Sequence, residues 1–209
     1  VGLGATSGAA GTIALIDAAS GQTATINGII TSAGNTGANG LTFNSGAGNN
    51  GTVVLGGANT FNGPTAVANG TLQLNNSLAL QFSTLDYNNQ GGSLSFGTLT
   101  AASLGGLSGA QSLSLLNNSS SSVALTVGSN SVNTTYSGGL SGTGASLTKI
   151  GTGTLTLSGA STYSGNTTVN TGVLQLGSGG SINGGAANVA ANGGAQITVS
   201  GGSLSATTG

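Results

Sequence analysis

Apolar residues in this chain recur two positions apart, in short runs that are separated by glycine, asparagine and serine. In residues 154–158 two threonines and a serine alternate with Leu155 and Leu157, so one face of the segment is apolar and the other is hydroxylated. A period of two places alternate side chains on the same face of a β-strand. The flanking turn residues limit these strands to about four to six residues. No segment combines a 3.6-residue period with strong helix formers, and the sequence therefore predicts an all-β fold.

One run of residues occurs twice, 102 positions apart. Residues 51–74 align with residues 153–176 without a gap, and 13 of the 24 positions are identical. Phe61 stands opposite Tyr163, which keeps an aromatic ring at that position. Before each run, the similar triplets LTF (41–43) and LTK (147–149) place Phe43 opposite Lys149. This repetition predicts two super-repeats, at approximately 1–100 and 101–209, within a single domain of residues 1–209.

Short repeated strands are compatible with an antiparallel sandwich or with a parallel β-solenoid. Regular turns of small residues favour the solenoid, in which each coil of about 20–25 residues stacks on the preceding one. In-register stacking places like residues above like, so aliphatic side chains form a core while Asn and Thr form hydrogen-bonded ladders. Twelve residues of the two copies are the expected repeat core: Val53, Leu55, Phe61, Val67, Leu72, Leu74, Leu155, Leu157, Tyr163, Val169, Leu174 and Leu176.

Charged side chains are nearly absent, at 1% of the chain, against roughly 25% in ordinary soluble domains. Stacked like charges about 4.8 Å apart would repel each other, so in-register coils disfavour them. Disorder is the alternative for a chain rich in Gly, Ser, Asn and Thr. Disordered chains usually combine low hydrophobicity with high net charge, whereas the net charge here is −1 and apolar residues alternate regularly.

The composition also excludes several classes of partner. One cation in the whole chain cannot neutralise a series of phosphates or form a polybasic membrane anchor, so we expect no nucleic acid and no membrane insertion. No apolar run approaches the ~18 residues of a membrane-spanning helix. The first residues show neither a basic n-region nor an apolar h-region, so no signal peptide is expected within this sequence.

Residues 147–176 resemble a known repeat. They read LTKIGTGTLTLSGASTYSGNTTVNTGVLQL and are similar to the autotransporter-associated β-strand repeat, also called the passenger-associated transport repeat, of bacterial surface β-helix proteins. Ser161 stands where that family usually has asparagine, and the first copy keeps Asn59 but has Asn49 in place of the first glycine. The resemblance implies a right-handed parallel β-helix, secretion, and a fibrous role at the bacterial cell surface. The family's pattern is matched at Gly151, Gly153, Leu155, Leu157, Gly159, Tyr163, Gly165, Thr167, Val169, Gly172 and Leu174.

The residues available for chemistry are Asp17, Asp86 and Lys149, since the chain has no His and no Cys. Usual glycoside hydrolysis needs two carboxylates about 5–10 Å apart, and these two are expected several coils apart. Lys149 is the sole side-chain amine, and its counterpart Phe43 shows that the repeat does not require one. Metal-binding patterns and phosphate-binding loops are also missing. We therefore predict no catalytic residue, no cofactor, no metal and no enzymatic activity.

The leading functional hypothesis is an extracellular structural protein, a β-solenoid that stacks end to end into a filament or forms one segment of a surface fibre. Its expected partner is another copy of itself or a neighbouring repeat. The alternative is an adhesin-type passenger that binds a host or matrix glycan or protein, for which residues 86–92 (DYNNQGG) are the best candidate loop. A threonine-rich ice-binding face is a weaker hypothesis, because the Thr-x-Thr pairs at 23, 98 and 154 do not recur once per coil.

Overall fold

The structure is a computed structural model, and it describes residues 14–32, 40–44, 48, 50–182 and 189–204. These residues form 22 short strands, and no helix occurs among them. The strands are β1 (Ala14–Ile16), β2 (Thr23–Ile26), β3 (Leu41–Phe43), β4 (Thr52–Leu55), β5 (Thr65–Val67), β6 (Thr71–Leu74), β7 (Leu80–Asp86), β8 (Ser93–Ser95), β9 (Ala101–Ser108), β10 (Leu113–Ser114), β11 (Ala124–Val127), β12 (Thr134–Tyr136), β13 (Leu140–Ser141), β14 (Ser146–Lys149), β15 (Thr154–Leu157), β16 (Ala160–Ser161), β17 (Thr167–Val169), β18 (Val173–Leu176), β19 (Ser181–Ile182), β20 (Val189–Ala191), β21 (Gln196–Val199) and β22 (Ser203–Leu204).

Each strand pairs in parallel with the strand that lies about one coil away in the chain. Leu147 of β14 pairs with Thr167 of β17, twenty residues on, whereas the step from Thr23 of β2 to Thr52 of β4 takes 29 residues. The resulting sheets contain nine strands (β1-β3-β5-β7-β9-β11-β14-β17-β20), four strands (β2-β4-β6-β8), four strands (β12-β15-β18-β21), three strands (β16-β19-β22) and two strands (β10-β13). The predicted all-β, parallel β-solenoid is confirmed.

The alternation in the sequence explains the position of the core. Leu155 and Leu157 of β15 pair with Leu174 and Leu176 of β18, so each leucine stacks on a leucine. All four side chains are buried, while the intervening Thr156 is half-buried on the outer face. The apolar columns join into one continuous core along the solenoid. The two-residue period therefore places the apolar face of each coil in register with that of the next.

Strand β9 connects two neighbouring faces of the solenoid. Its first half pairs with β11, from Ala101 with Ala124 to Leu104 with Val127. Its second half pairs with β7, Leu107 with Leu85, and the following Gly109 bridges to Tyr136 of β12. With eight residues, against two to four in most strands, β9 is long enough to serve both faces.

As a consequence, equivalent positions of the two repeat copies lie on neighbouring faces of the solenoid and not on the same face. Thr65 of β5 is connected through Leu85 and Leu107 to the column of strands that contains β12 and β15. Its sequence equivalent Thr167 lies in β17, which pairs with β14 on the neighbouring face. The 102-residue spacing is therefore not a whole number of coils. The division of residues 1–209 into two super-repeats of a single domain stays a prediction.

Two glycines make this change of face possible. A Cβ on Gly105 would lie 2.4 Å from the carbonyl carbon of Phe82, and one on Gly106 would lie 2.7 Å from Thr84 Oγ1. The atoms that face Gly105 are backbone and cannot move aside, so only glycine fits there against the irregular part of β7 between Leu80 and Thr84, whereas Gly106 faces side-chain atoms. Two hydrogen bonds reach this irregular part of β7: Asn130 donates to Thr84 Oγ1 at 2.8 Å, and Ser129 donates to the Gln81 carbonyl.

Candidate functional site

The two carboxylates lie far apart. Asp17 follows β1 and is exposed, whereas Asp86 ends β7 and is half-buried. Three strand steps separate β1 from β7 in the nine-stranded sheet, which corresponds to roughly 14 Å between their backbones. The structure does not bring these two side chains into the arrangement that glycoside hydrolysis requires.

The loop 86–92 turns its aromatic residue inward. Asp86 Oδ1 accepts hydrogen bonds from Asn88 Nδ2 at 2.5 Å and from Ser108 Oγ at 3.3 Å. The Tyr87 side chain is buried, its hydroxyl accepts a 3.1 Å hydrogen bond from the Leu94 backbone N–H, and burial raises its pKa. The one aromatic ring in this loop is therefore a core residue and not a platform for a sugar.

Lys149 lies in the core and is only 1% exposed. It occupies the same column as Val127 and Val169, where the alternation calls for an apolar residue. Its ammonium donates to the carbonyl oxygens of Ile150 at 2.6 Å, Gly151 at 2.8 Å and Thr171 at 3.4 Å. Burial lowers the pKa of Lys149 because it removes water from the charged form. Sequence patterns do not reveal this cluster of carbonyl groups, because the Thr171 carbonyl joins it only when two coils stack.

Asn44 fills the same corner in the first copy. It follows Phe43, the counterpart of Lys149, and is fully buried. Its amide nitrogen donates to the carbonyl oxygens of Gly51 at 3.0 Å and Asn69 at 3.1 Å, and its Oδ1 accepts from the Ala18 backbone N–H at 2.8 Å. Asn69 is the position 102 residues before Thr171. A buried donor thus caps the same carbonyl in both copies, although the donor comes from adjacent positions and has different chemistry.

A second buried polar position ties neighbouring coils at another corner. Asn59 Oδ1 accepts from the Ile30 backbone N–H at 2.9 Å, and its amide donates to the Ala79 carbonyl at 2.9 Å. Its counterpart Ser161 accepts from the Leu140 backbone N–H at 3.3 Å. The departure from the usual asparagine therefore keeps the hydrogen bond to the preceding coil.

The aromatic exchange between the copies is matched by a change of hydroxyl partner. The Tyr163 hydroxyl is hydrogen-bonded to Thr167 Oγ1, and both side chains are fully buried. In the first copy Phe61 has no hydroxyl, and Thr65 is instead hydrogen-bonded to Ser83 Oγ at 2.8 Å. Burial raises the pKa of Tyr163 to about 12, although its hydrogen bond to Thr167 partly opposes that rise.

The third tyrosine lies where the two copies meet. The Tyr136 hydroxyl donates a 2.6 Å hydrogen bond to the Gln111 carbonyl, and burial raises its pKa well above the ordinary value. Gly109 forms a β-bridge with Tyr136 on one side. On the other side, a Cβ added to Gly109 would lie 2.2 Å from the Tyr87 carbonyl oxygen. Tyr87 and Tyr136 therefore pack on either side of Gly109 at this junction.

All twelve residues of the expected repeat core are buried, with exposures between 0% and 3%. Outside the core, threonines of successive coils stack on one another. These columns join residues of different coils and not the two members of a Thr-x-Thr pair. Thr126, Thr148 and Thr168 are in register on the outer face of the nine-stranded sheet. A second column, Thr23, Thr52 and Thr71, lies on the first four-stranded sheet. The two columns are on different sheets, so they do not form one continuous rank.

Neither a metal centre nor a membrane helix occurs in the part of the chain that the structure describes. No group of three or more potential metal-binding side chains is present among these residues. None of them forms a helix long and apolar enough to cross a membrane. The polar side chains of the corners satisfy backbone groups, so the arrangement stabilises stacked coils.

Comparison with known proteins identifies the repeat. The family model of the Passenger-associated-transport-repeat matches residues 47–74 and 147–176, little more than a quarter of the chain. Searches of curated proteins and of solved structures each found no match. The repeat and the solenoid together fit an autotransporter passenger-type protein, and the repeat implies a secreted bacterial protein of the cell surface. The predicted resemblance is thus confirmed: the chain carries two segments that match the passenger-associated transport repeat, at residues 47–74 and 147–176.

Proposed function

We propose that the chain is a non-enzymatic structural segment of an extracellular bacterial surface fibre, in which solenoid coils continue end to end into another copy or a neighbouring repeat. The observation that carries this proposal is the state of the last described coil. Val199 belongs to the same column as Leu157 and Leu176. Those two leucines are fully buried, whereas Val199 is 53% exposed. A core position is exposed there because no further described coil covers it.

Leu204 repeats this observation on a second face. It is in register with Ile182, which is 1% exposed, yet Leu204 is 39% exposed. At the opposite end, Ala24 and Ile26 are only partly buried, while their partners Val53 and Leu55 are fully buried. Both ends of the described solenoid thus present core columns and open strand edges, which pair readily with further strands.

The charge distribution supports stacking at these ends. The two carboxylates belong to residues 1–100, and the only charged side chain after residue 100 is the buried Lys149. A contact between the last coil and another copy therefore meets little electrostatic repulsion. A head-to-tail contact of this kind does not close on itself and produces a filament.

The test uses purified chain, imaged by negative-stain electron microscopy and sized by light scattering over a range of concentrations. The wild-type chain should form unbranched filaments whose length rises with concentration. Val199→Glu should shorten or abolish them, because it places a charge in the apolar column that the next copy must cover. Thr198→Glu is the matched control: it adds the same charge one residue away, on the outer face, and should leave the filaments intact.

A wild-type chain that stays a monodisperse monomer at high concentration contradicts end-to-end assembly of this chain. Equal behaviour of the two glutamate variants contradicts the role of the apolar column. Loop 86–92 does not support the adhesin alternative, because its aromatic residue, Tyr87, is buried.

A further inference from the structure

The corner around Lys149 has the properties of a site for a monovalent cation. Three backbone carbonyl oxygens, from Ile150, Gly151 and Thr171, lie 2.6, 2.8 and 3.4 Å from the Lys149 nitrogen. They come from two successive coils, because Thr171 lies between β17 and β18. Gly128 of the preceding coil covers the group, since a Cβ there would lie 3.2 Å from the same nitrogen.

The three oxygens call for a group with three donors. An ammonium has three N–H donors and no acceptor, whereas a neutral amine would turn its lone pair toward a carbonyl oxygen. Neither carboxylate of the chain is near: Asp17 and Asp86 lie in β1–β7, on the far side of β9 from this corner. The positive charge is therefore balanced by carbonyl dipoles alone, as in sites where backbone carbonyl groups replace the hydration shell of potassium.

The geometry and the charge of the site narrow the class of ion. Calcium binds oxygen at about 2.3–2.6 Å with carboxylate ligands, and magnesium at about 2.0–2.1 Å. The oxygens around Lys149 are neutral and mostly lie at longer distances, which suits a large monovalent cation. The first copy fills the equivalent corner with the neutral amide of Asn44, so the corner requires a donor but does not prescribe its charge.

We infer that the corner formed by residues 149–151 and 171 is a binding site for an ammonium-class monovalent cation, which Lys149 occupies from within the chain. Without the lysine, the same carbonyl oxygens should bind ammonium or potassium from solution. This inference is independent of the proposed fibre function, because it concerns the interior of a single solenoid.

The first experiment measures urea unfolding of Lys149→Met in ammonium, potassium, sodium and choline chloride at equal ionic strength. Methionine keeps the apolar stem of the side chain, ends one atom short of the lysine nitrogen and removes the charge, so the position of that nitrogen is left open to an ion. A bound ion stabilises the folded state by mass action, so the unfolding midpoint of this variant should rise with ammonium or potassium concentration and stay lower in sodium and choline. The wild-type midpoint should not depend on which cation is present.

The matched control is Val169→Ala, which opens a cavity in the same column without removing the donor. Its midpoint should fall equally in all four salts. The inference is overturned if Lys149→Met shows no preference among cations, or if Val169→Ala shows the same preference.

A second measurement needs no variant and holds even if Lys149→Met does not fold. The chain has a single Lys and no other basic side chain, so ¹⁵N-lysine labelling gives one side-chain signal. At neutral pH we expect an ammonium resonance whose protons exchange slowly with water and which couples to carbonyl carbons. An amine resonance, or exchange as fast as that of free lysine, would overturn the assignment.

Discussion

At the scale of single residues, the polar side chains in the core work as corner supports. Asn44, Asn59 and Lys149 each donate to backbone carbonyl groups next to the strand ends, those of Gly51, Ala79 and Ile150 among them. An unsatisfied buried polar group costs about 1–3 kcal/mol. Replacing such a residue by an apolar one therefore removes a hydrogen-bond donor from buried backbone groups. The stability of the fold should depend strongly on these few positions.

The hydroxyl pair Tyr163–Thr167 provides a direct test of this view. Tyr163→Phe should lower the free energy of unfolding by about 1–3 kcal/mol, since it leaves the buried Thr167 hydroxyl without its partner. The double variant Tyr163→Phe, Thr167→Val removes both polar groups and should recover most of that loss. Urea unfolding of the three proteins at neutral pH measures both effects. A double variant less stable than the single one would contradict the role of the pair.

The same tyrosine predicts how stability depends on alkaline pH. The pKa of Tyr163 is raised to about 12 in the folded chain, against about 10 when unfolded. Its contribution is therefore complete below pH 10 and is lost as the pH rises through 12, with a total of about 3 kcal/mol for two pKa units. Buried Tyr87 and Tyr136 act in the same direction. Unfolding measured between pH 9 and 12 should show this decline, and it should be shallower in Tyr163→Phe.

At the scale of elements, β9 is the unusual strand. Most strands were predictable as short alternating runs, but the eight-residue strand that joins two faces was not, because its length follows from what it pairs with. Its glycines have no role that a sequence pattern would single out. The structure gives Gly105 one, since the backbone of Phe82 passes 2.4 Å from where a Cβ would lie.

Gly105→Ala should therefore destabilise the junction, by an amount on the order of 1–3 kcal/mol or more, because the obstacle is backbone and cannot rotate away. Gly177→Ala is the matched control: its nearest neighbour would be the Thr156 methyl at 3.2 Å, a side-chain atom. Thermal unfolding should show a clear drop in Tm for the first variant and a small change for the second. Equal effects would contradict a special role for the junction.

At the scale of the whole molecule, the composition and the fold combine to protect the chain from trypsin-like proteases. The only Lys or Arg is Lys149, and it is 1% exposed in the core. Cleavage then requires opening of the solenoid, so its rate follows the stability of that region. Native chain should resist trypsin, whereas chain in urea should give two fragments, 1–149 and 150–209.

Ser119→Lys is the control for that experiment. Ser119 is exposed in the segment between β10 and β11, and exposed loop tips are preferred cleavage sites. This variant should be cut at residue 119 under native conditions while Lys149 stays intact. Cleavage of native wild-type chain at Lys149 would show that the corner opens far more easily than its burial implies.

The sequence by itself determined the strands, the core columns and the stacked architecture. Each follows from local alternation and from repetition, because stacking like residues on like produces a core. The alternation alone was enough to predict that Leu155 and Leu174 are core residues. The near absence of charge belongs to the same logic, because in-register coils bring equal positions within about 4.8 Å of each other.

Only the tertiary structure decided the shift of one face at β9 and the roles of Asn44 and Lys149. The shift depends on the pairing of β7, β9, β11 and β12, and no period within one copy encodes it. The carbonyl group that Lys149 reaches at Thr171 is 22 residues away in the chain and becomes its neighbour only when the next coil is in place. Local patterns specify which side of a strand is buried, but the partners of a buried polar group are fixed by how whole coils stack.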